Sequence, residues 1–153
     1  MEKDQPHSHA LRRGRMSLHR QAYLITTCTH QRLPLLDSWP IARHVVKEMQ
    51  SLEKEGWVSS LSYVIMPDHL HWLFMLDQAE LDAVVKRLKG RSARAINSHL
   101  HRRGSVWQQG YHDRALRREE DLRSVARYIV ANPLRAGLVD DIGKYPLWDA
   151  MWL

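Results

Sequence analysis

The alternation of hydrophobic and polar positions predicts a chain of short strands separated by longer helices. Apolar runs rich in β-forming residues predict strands over residues 22–29, 57–66, 69–76 and 112–116. Hydrophobic residues at helical spacing predict helices over residues 41–55, 81–103 and 119–132. Pro133 disfavours helical geometry at the residue before it, so the last helix is expected to end at Asn132. The elements therefore follow the order β-α-β-β-α-β-α.

This order predicts an α+β fold of the ferredoxin-like, split βαβ type, with an antiparallel sheet and one added C-terminal helix. The length of 153 residues suits one domain, which we expect over residues 19–153. Residues 1–18 are basic and lack apolar periodicity, so we expect them to form a flexible arm. The segment from Tyr145 onward carries Trp148 and Trp152 and is expected to pack back on the domain.

The charge balance favours a polyanionic partner. The chain has 23 Lys and Arg residues against 17 Asp and Glu residues, a net charge of +6, and nucleic acid is the commonest partner of such proteins. A basic surface that only maintains solubility is the alternative. The single cysteine, Cys28, excludes a disulfide within the chain, and no apolar run approaches the ~20 residues of a membrane span. We therefore expect a cytoplasmic protein without membrane contact.

Two histidines stand out in the third predicted strand. His69 and His71 are two residues apart in an otherwise apolar run, so both imidazoles point to the same side of the sheet. Two neutral imidazoles form half of a metal site, although such a pair can also be incidental. Pairing of the second and third strands places them near the sheet centre. In the last helix, Tyr128 and Asn132 are four residues apart and share one face, at the edge of a cleft.

The helix over residues 81–103 carries most of the clustered positive charge. Its cations could bind the phosphates of a nucleic acid, a contribution that falls steeply with salt, or they could form an ordinary solvated face. They are Lys86, Arg87, Lys89, Arg91 and Arg94. Arg12, Arg13 and Arg15 in the basic arm are further candidates for the same role. Trp107 and Tyr111 could stack on unpaired bases, but packing in the core is favoured for Trp107.

Several segments resemble a known family. His69-Leu70-His71 is similar to the His-hydrophobic-His signature of the HUH single-strand DNA nucleases. Residues 64–74, 107–111 and 128–139 (VIMPDHLHWLF, WQQGY and YIVANPLRAGLV) resemble, in this order and spacing, the REP-associated tyrosine transposases. The resemblance spans about Tyr23 to Val139, which is most of the chain.

The resemblance implies a specific chemistry. His69, His71 and Asn132 take the places of the ligands of a divalent metal, Mg²⁺ or Mn²⁺. Tyr128 takes the place of the nucleophile that attacks single-stranded, hairpin-bearing repeat DNA, forms a 5′-phosphotyrosine link and frees a 3′-hydroxyl. The reverse reaction joins strands without ATP, and the chain has no Gly-rich phosphate loop. A monomer or a homodimer is compatible with this chemistry.

Two other functions stay open at this stage. An amide is a weak ligand for Mg²⁺, so Asn132 could act through water or only orient DNA. The same fold could therefore serve as a non-catalytic, basic nucleic-acid-binding module in which the histidines are structural. A metal-dependent phosphodiesterase that uses water instead of Tyr128 is the third hypothesis.

Overall fold

A computed structural model describes residues 21–150, so Arg12, Arg13 and Arg15 lie outside the described residues. This part of the chain contains five strands: β1 (Ala22–Cys28), β2 (Val58–Met66), β3 (His69–Leu76), β4 (His112–Leu116) and β5 (Trp148–Ala150). Four α-helices accompany them: α1 (Trp39–Lys54), α2 (Leu81–Leu100), α3 (Glu119–Val130) and α4 (Asn132–Arg135). The predicted order is confirmed, with α4 and β5 added at the end. Within residues 21–150, no helix has the length and apolar character needed to cross a bilayer.

The five strands form one antiparallel sheet in the order β4-β1-β3-β2-β5. The first four strands have the ferredoxin-like order 4-1-3-2, which confirms the predicted fold class. The strand β3 lies at the centre, paired with β1 on one side and β2 on the other. The described part of the tail packs back as expected and pairs with β2 as a fifth strand, whereas Trp152 lies outside the described residues. His69 and His71 therefore lie in the middle of the sheet, as predicted.

The helices α1 and α2 cover one face of the sheet and enclose the larger hydrophobic core. Side chains alternate across a strand, so Leu70, Trp72 and Phe74 of β3 point to this face, where they are fully buried. The indole Nε1 of Trp72 donates a 2.9 Å hydrogen bond to Ser60 Oγ, which satisfies its polar edge. This face anchors the central strand.

The helix α3 packs on the opposite face. Its buried residues Ala126, Ile129 and Val130 form a second hydrophobic cluster with sheet residues that include Val64 and Met66 of β2. The alternation that buries Trp72 on the first face places His69 and His71 on this one. The histidines and the last two helices therefore share a side of the molecule.

The predicted end of the last helix is wrong by two residues. The helix α3 ends at Val130, and Asn132 begins the separate short helix α4 after the link at Ala131. Pro133 occupies the first turn of α4, where its missing N–H and fixed φ are tolerated. The helix α2 also ends early, at Leu100, because His101 adopts a left-handed conformation with φ of 51°.

Candidate active site

The two histidines form a close pair on β3. Their ring centroids are 4.8 Å apart and the ring planes meet at 81°. On the neighbouring strands, Thr26 and Val64 stand directly opposite His71, and Met66 stands opposite His69. Because both rings leave the same face of a rigid central strand, their relative position is fixed by the sheet.

The Nδ1 atom of each imidazole already has a partner. His71 Nδ1 lies 2.8 Å from Thr26 Oγ1, and His69 Nδ1 lies 2.8 Å from Asp68 Oδ1. Asp68 is in turn ion-paired with Arg32, whose Nε is 2.9 Å from Oδ2. Histidines that bind metals usually make such a bond through the nitrogen that faces away from the metal. The arrangement leaves Nε2 of both rings for a ligand.

Burial keeps His71 neutral. Desolvation, followed by the positive charges of His69, Arg135 and His112, lowers the pKa of His71 from 6.5 to about 3. A neutral imidazole is the form that coordinates a metal. Partial burial alone would raise the pKa of Asp68, but hydrogen bonds from His69 and Arg32 outweigh it and hold that pKa below its usual value. Asp68 is therefore an anionic partner for His69.

Tyr128 and Asn132 meet at the junction of α3 and α4, where Arg135 links them. The Tyr128 side chain is 63% exposed, and the Arg135 guanidinium carbon lies 3.8 Å from the centroid of its ring. Arg135 Nη2 donates to Asn132 Oδ1 at 2.6 Å and to the Tyr128 carbonyl at 2.8 Å. Asn132 Nδ2 is buried without a hydrogen-bond partner among residues 21–150.

Packing brings this junction to the side of the histidine pair. Ile129 and Val130, which follow Tyr128, belong to the same cluster as Val64 and Met66, the β2 residues opposite His71 and His69. The charge of Arg135 also contributes to the lowered pKa of His71. The helix that carries Tyr128 and the two imidazoles thus lie on the same face of the sheet.

The residues present fit a metal at the histidine pair, with a restricted ligand set. Within residues 21–150, no group of three His, Cys, Asp or Glu side chains is arranged to hold a metal ion. Further ligands would have to be oxygen atoms from Asn132, water or the substrate. Asn132 Oδ1 already accepts one bond from Arg135 and, as a carbonyl oxygen, has one further lone pair.

Most of the predicted DNA-binding cations lie elsewhere. The helix α2, which carries all five, covers the sheet face opposite the histidines. Arg87 is held by Glu55 through two hydrogen bonds, and its guanidinium carbon lies 4.8 Å from the centroid of a Trp57 ring. Lys89 Nζ donates to the carbonyls of Gln108 and Gly110, and burial lowers its pKa to about 8. In this structure both side chains are bound to the protein itself.

The other three cations of α2 remain exposed beside a shallow groove of about 600 Å³. Lys86, Arg91 and Arg94 line it together with Trp57. In contrast, Trp107 and Tyr111 are buried, which confirms packing for Trp107 and leaves neither of these two rings exposed to stack on a base. The indole of Trp107 donates to Ser92 Oγ at 3.0 Å inside the core.

Sequence reasoning missed the polar groups that support the site. Thr26 and Asp68 hold the imidazoles, and Arg135 joins Tyr128 to Asn132. Asp68 could have been found as the acidic neighbour of His69 at the tight turn. Thr26 and Arg135 carry no comparable signal, because only the strand register and the helix break reveal their contacts. Further exposed cations lie in β4 and directly after it, namely Arg114, Arg117 and Arg118.

Comparison with known proteins gives consistent family matches. The model of the family described as transposase, IS200-like, matches residues 17–132. A REP-associated tyrosine transposase of Escherichia coli is 24% identical over 115 residues, covering 73% of this chain and 64% of that protein. A protein of the same description from Haemophilus influenzae is 24% identical over 98 residues, covering 57% and 56%. The matched segment spans less than two thirds of the length of these curated relatives.

Solved structures show the same fold. A REP-associated tyrosine transposase bound to a REP hairpin superimposes with a TM-score of 0.74 at 18% identity, covering 88% of this chain and 79% of that one. A transposase from Deinococcus radiodurans superimposes with a TM-score of 0.54 at 24% identity, covering 76% and 93%. At these identities the likeness concerns the fold alone.

Proposed function

Because the chain belongs to the family of IS200-like transposases, we propose that it is a tyrosine-dependent nuclease and strand transferase of single-stranded, hairpin-forming DNA. One observation supports the proposal: the helix that carries the exposed Tyr128 packs on the sheet face that holds His69 and His71, whose Nδ1 atoms are occupied. A nucleophile and a pair of ligands on one face match the needs of phosphodiester cleavage.

In the proposed reaction the Tyr128 oxygen attacks a backbone phosphorus atom. An O–P bond forms, the bond from phosphorus to the 3′-oxygen breaks, and the phenolic proton is lost while the departing 3′-oxygen gains one. The strand is then held by a 5′-phosphotyrosine link, which conserves the energy of the broken bond. Attack by another 3′-hydroxyl reverses the step and transfers the strand without a nucleotide cofactor. The exposure of Tyr128 leaves room for the DNA backbone.

His69 and His71 would hold a divalent metal, Mg²⁺ or Mn²⁺, through Nε2, and Asn132 is the proposed third ligand. When bound, the metal would polarise the scissile phosphate and offset its developing negative charge. The protein's own contribution is to keep both imidazoles neutral and oriented. Thr26 fixes the His71 ring, and the Asp68 carboxylate fixes the His69 ring. Without these bonds each ring could turn away from a common ligand.

Hairpin DNA is the proposed substrate. The structural relative described above was solved with a REP hairpin, and the net charge of +6 suits a polyanion. Lys86, Arg91 and Arg94 remain candidates for phosphate contacts, although they lie on the face opposite Tyr128. A DNA molecule that contacts both these cations and Tyr128 would have to pass around an edge of the sheet. A cytoplasmic location is part of the proposal, since Cys28 is a buried free thiol.

The test is covalent capture of DNA. Wild-type protein and Tyr128→Phe are incubated with an end-labelled hairpin that carries a single-stranded flank, with Mn²⁺ or with EDTA. We expect a DNA–protein adduct that survives denaturation, maps to Tyr128 by mass spectrometry and requires the metal. Cleavage that continues in Tyr128→Phe would point to water as the nucleophile. The absence of any adduct with wild-type protein would overturn the proposal.

A second candidate function is hairpin binding without catalysis. One observation favours it: Asn132 Oδ1 is hydrogen-bonded to Arg135, so the proposed third ligand is already partly engaged. This function predicts salt-sensitive binding of the hairpin that is unchanged by Tyr128→Phe or by EDTA, with no adduct under any condition. The capture experiment therefore separates the two candidates.

A further inference from the structure

We propose that Arg135 binds the DNA phosphate next to the cleaved bond and positions Tyr128 and Asn132 for the reaction, an inference that rests on the proposed function. The guanidinium has two edges with separate roles. The nitrogen Nη2 holds the junction between α3 and α4, and the remaining edge faces a phosphate.

The nitrogen Nη2 of Arg135 links Tyr128 to Asn132. It donates to Asn132 Oδ1 at 2.6 Å and to the backbone carbonyl of Tyr128 at 2.8 Å. The helix α3 ends at Val130 and a new helix begins at Asn132. The Tyr128 carbonyl therefore lies in the last turn of α3, where carbonyls lack intrahelical partners and can accept from an arginine. One side chain therefore ties the nucleophile-bearing helix to the residue proposed as third ligand.

The edge of the Arg135 guanidinium formed by Nε and Nη1 is the proposed phosphate-binding edge. Nε and Nη1 of Arg135 make no hydrogen bond to any residue in the described range of 21–150, and the residue is exposed. A guanidinium edge with two N–H donors matches two phosphate oxygens and binds them in parallel. Because the guanidinium lies over the Tyr128 ring, a phosphate on this edge is beside the phenol.

The positive charge of Arg135 also favours a phosphate as its partner. Within residues 21–150, Arg135 has no carboxylate partner, unlike Arg32, which pairs with Asp68, and Arg87, which pairs with Glu55. An unneutralised cation beside an exposed tyrosine attracts an anion, and a backbone phosphate is the anion that the proposed substrate brings. Arg135 therefore differs from the cations of α2, which lie on the opposite face of the sheet.

The experiment replaces single phosphates by neutral methylphosphonates along the hairpin and its flank. Affinities are measured in a Tyr128→Phe background, which prevents cleavage, for three proteins: Arg135 intact, Arg135→Gln and Arg127→Gln. Arg127 is a matched control, because it is an exposed arginine of α3 and directly precedes Tyr128 in the chain. Circular dichroism and thermal unfolding confirm that each variant is folded, and Arg135→Lys serves as a second variant that retains the charge.

With Arg135 intact, we expect one methylphosphonate adjacent to the cleaved bond to weaken binding roughly tenfold. In Arg135→Gln the same replacement should have almost no further effect, while Arg127→Gln should respond like the parent protein. Arg135→Lys should restore part of the response, because an ammonium offers charge without the planar pair of donors.

Two results would overturn the inference. In one, each methylphosphonate weakens hairpin binding by the same factor in the parent protein and in Arg135→Gln. In the other, Arg127→Gln reproduces the behaviour of Arg135→Gln, so that only general charge is involved. Failure of the proposed function looks different: wild-type protein forms no Tyr128 adduct, whatever the binding data show. For cleavage itself, Arg135→Gln should lower kcat as well as raise KM, because the tie to Tyr128 and Asn132 is also lost.

Discussion

The metal-free protein should lose stability as the pH falls below about 6.5, because His71 is buried in its neutral form. Desolvation, helped by the positive charges of His69, Arg135 and His112, lowers its pKa from 6.5 to about 3. The unfolded chain takes up a proton near the ordinary value, whereas the folded protein takes it up only near pH 3. The stabilisation is therefore complete above the unfolded pKa and is lost as the pH falls toward the folded pKa.

The size of the effect follows from the two pKa values. They differ by about 3.5 pH units, and each unit corresponds to about 1.4 kcal/mol. The largest possible contribution is therefore about 5 kcal/mol, of which about 2–3 kcal/mol should be lost between pH 6.5 and pH 4.5. Because carboxylates and His44 also titrate in acid, the contribution of His71 has to be isolated by a variant.

The assay is urea unfolding in EDTA, followed by tryptophan fluorescence, at several pH values between 4.5 and 7.5. His71→Gln stays uncharged over this range, so its free energy of unfolding should fall less steeply than that of the wild type. His30→Gln, on the short 3-10 turn after β1, is the control and should keep the wild-type slope. If the difference between wild type and His71→Gln is the same at pH 7.5 and pH 4.5, the account of a neutral, buried imidazole is incorrect.

Three further substitutions separate structural from DNA-binding side chains. Tyr145→Phe removes a 2.6 Å hydrogen bond to a β2 carbonyl and should lower the free energy of unfolding by about 1 kcal/mol; no change in urea unfolding would count against that bond. Lys89→Gln should cost roughly 1–3 kcal/mol of stability, because two loop carbonyls lose their donor. Lys86→Gln should change the free energy of unfolding by no more than about 0.5 kcal/mol. It should also reduce the slope of log affinity for the hairpin against log salt concentration by about one. A loss of stability in Lys86→Gln together with a reduced salt slope in Lys89→Gln would refute these assignments.

The sheet and the position of the histidine pair could be predicted from the sequence because strand periodicity is strict. An apolar run with polar residues two apart admits one arrangement, in which His69 and His71 share a face. The neighbouring strand β2 pairs with β3 through a two-residue turn, which fixes the register without long-range information. For the same reason β3 was correctly placed near the centre of the sheet.

Features that depend on side-chain partners could not be predicted in the same way. The run of cations on α2 is evident in the sequence, but nothing there shows that Glu55 binds Arg87 or that loop carbonyls bind Lys89. The strand β5 has only three residues and no alternation to detect. Pro133 was read as the end of a helix, although it also suits the first turn of a new one.

The break between α3 and α4 connects these points to the proposed chemistry. A helix that continued past residue 131 without interruption would satisfy its own carbonyls and leave no role for an arginine donor at the Tyr128 carbonyl. The helix α3 ends at Val130, and Arg135 donates hydrogen bonds to the Tyr128 carbonyl and to Asn132 Oδ1 at this interruption. The break thus brings a cation, an amide and a phenol together at the end of the helix that packs on the histidine face. We therefore expect substitutions at this junction to change DNA processing. Substitutions in the hydrophobic core beneath α1 and α2 should instead change stability.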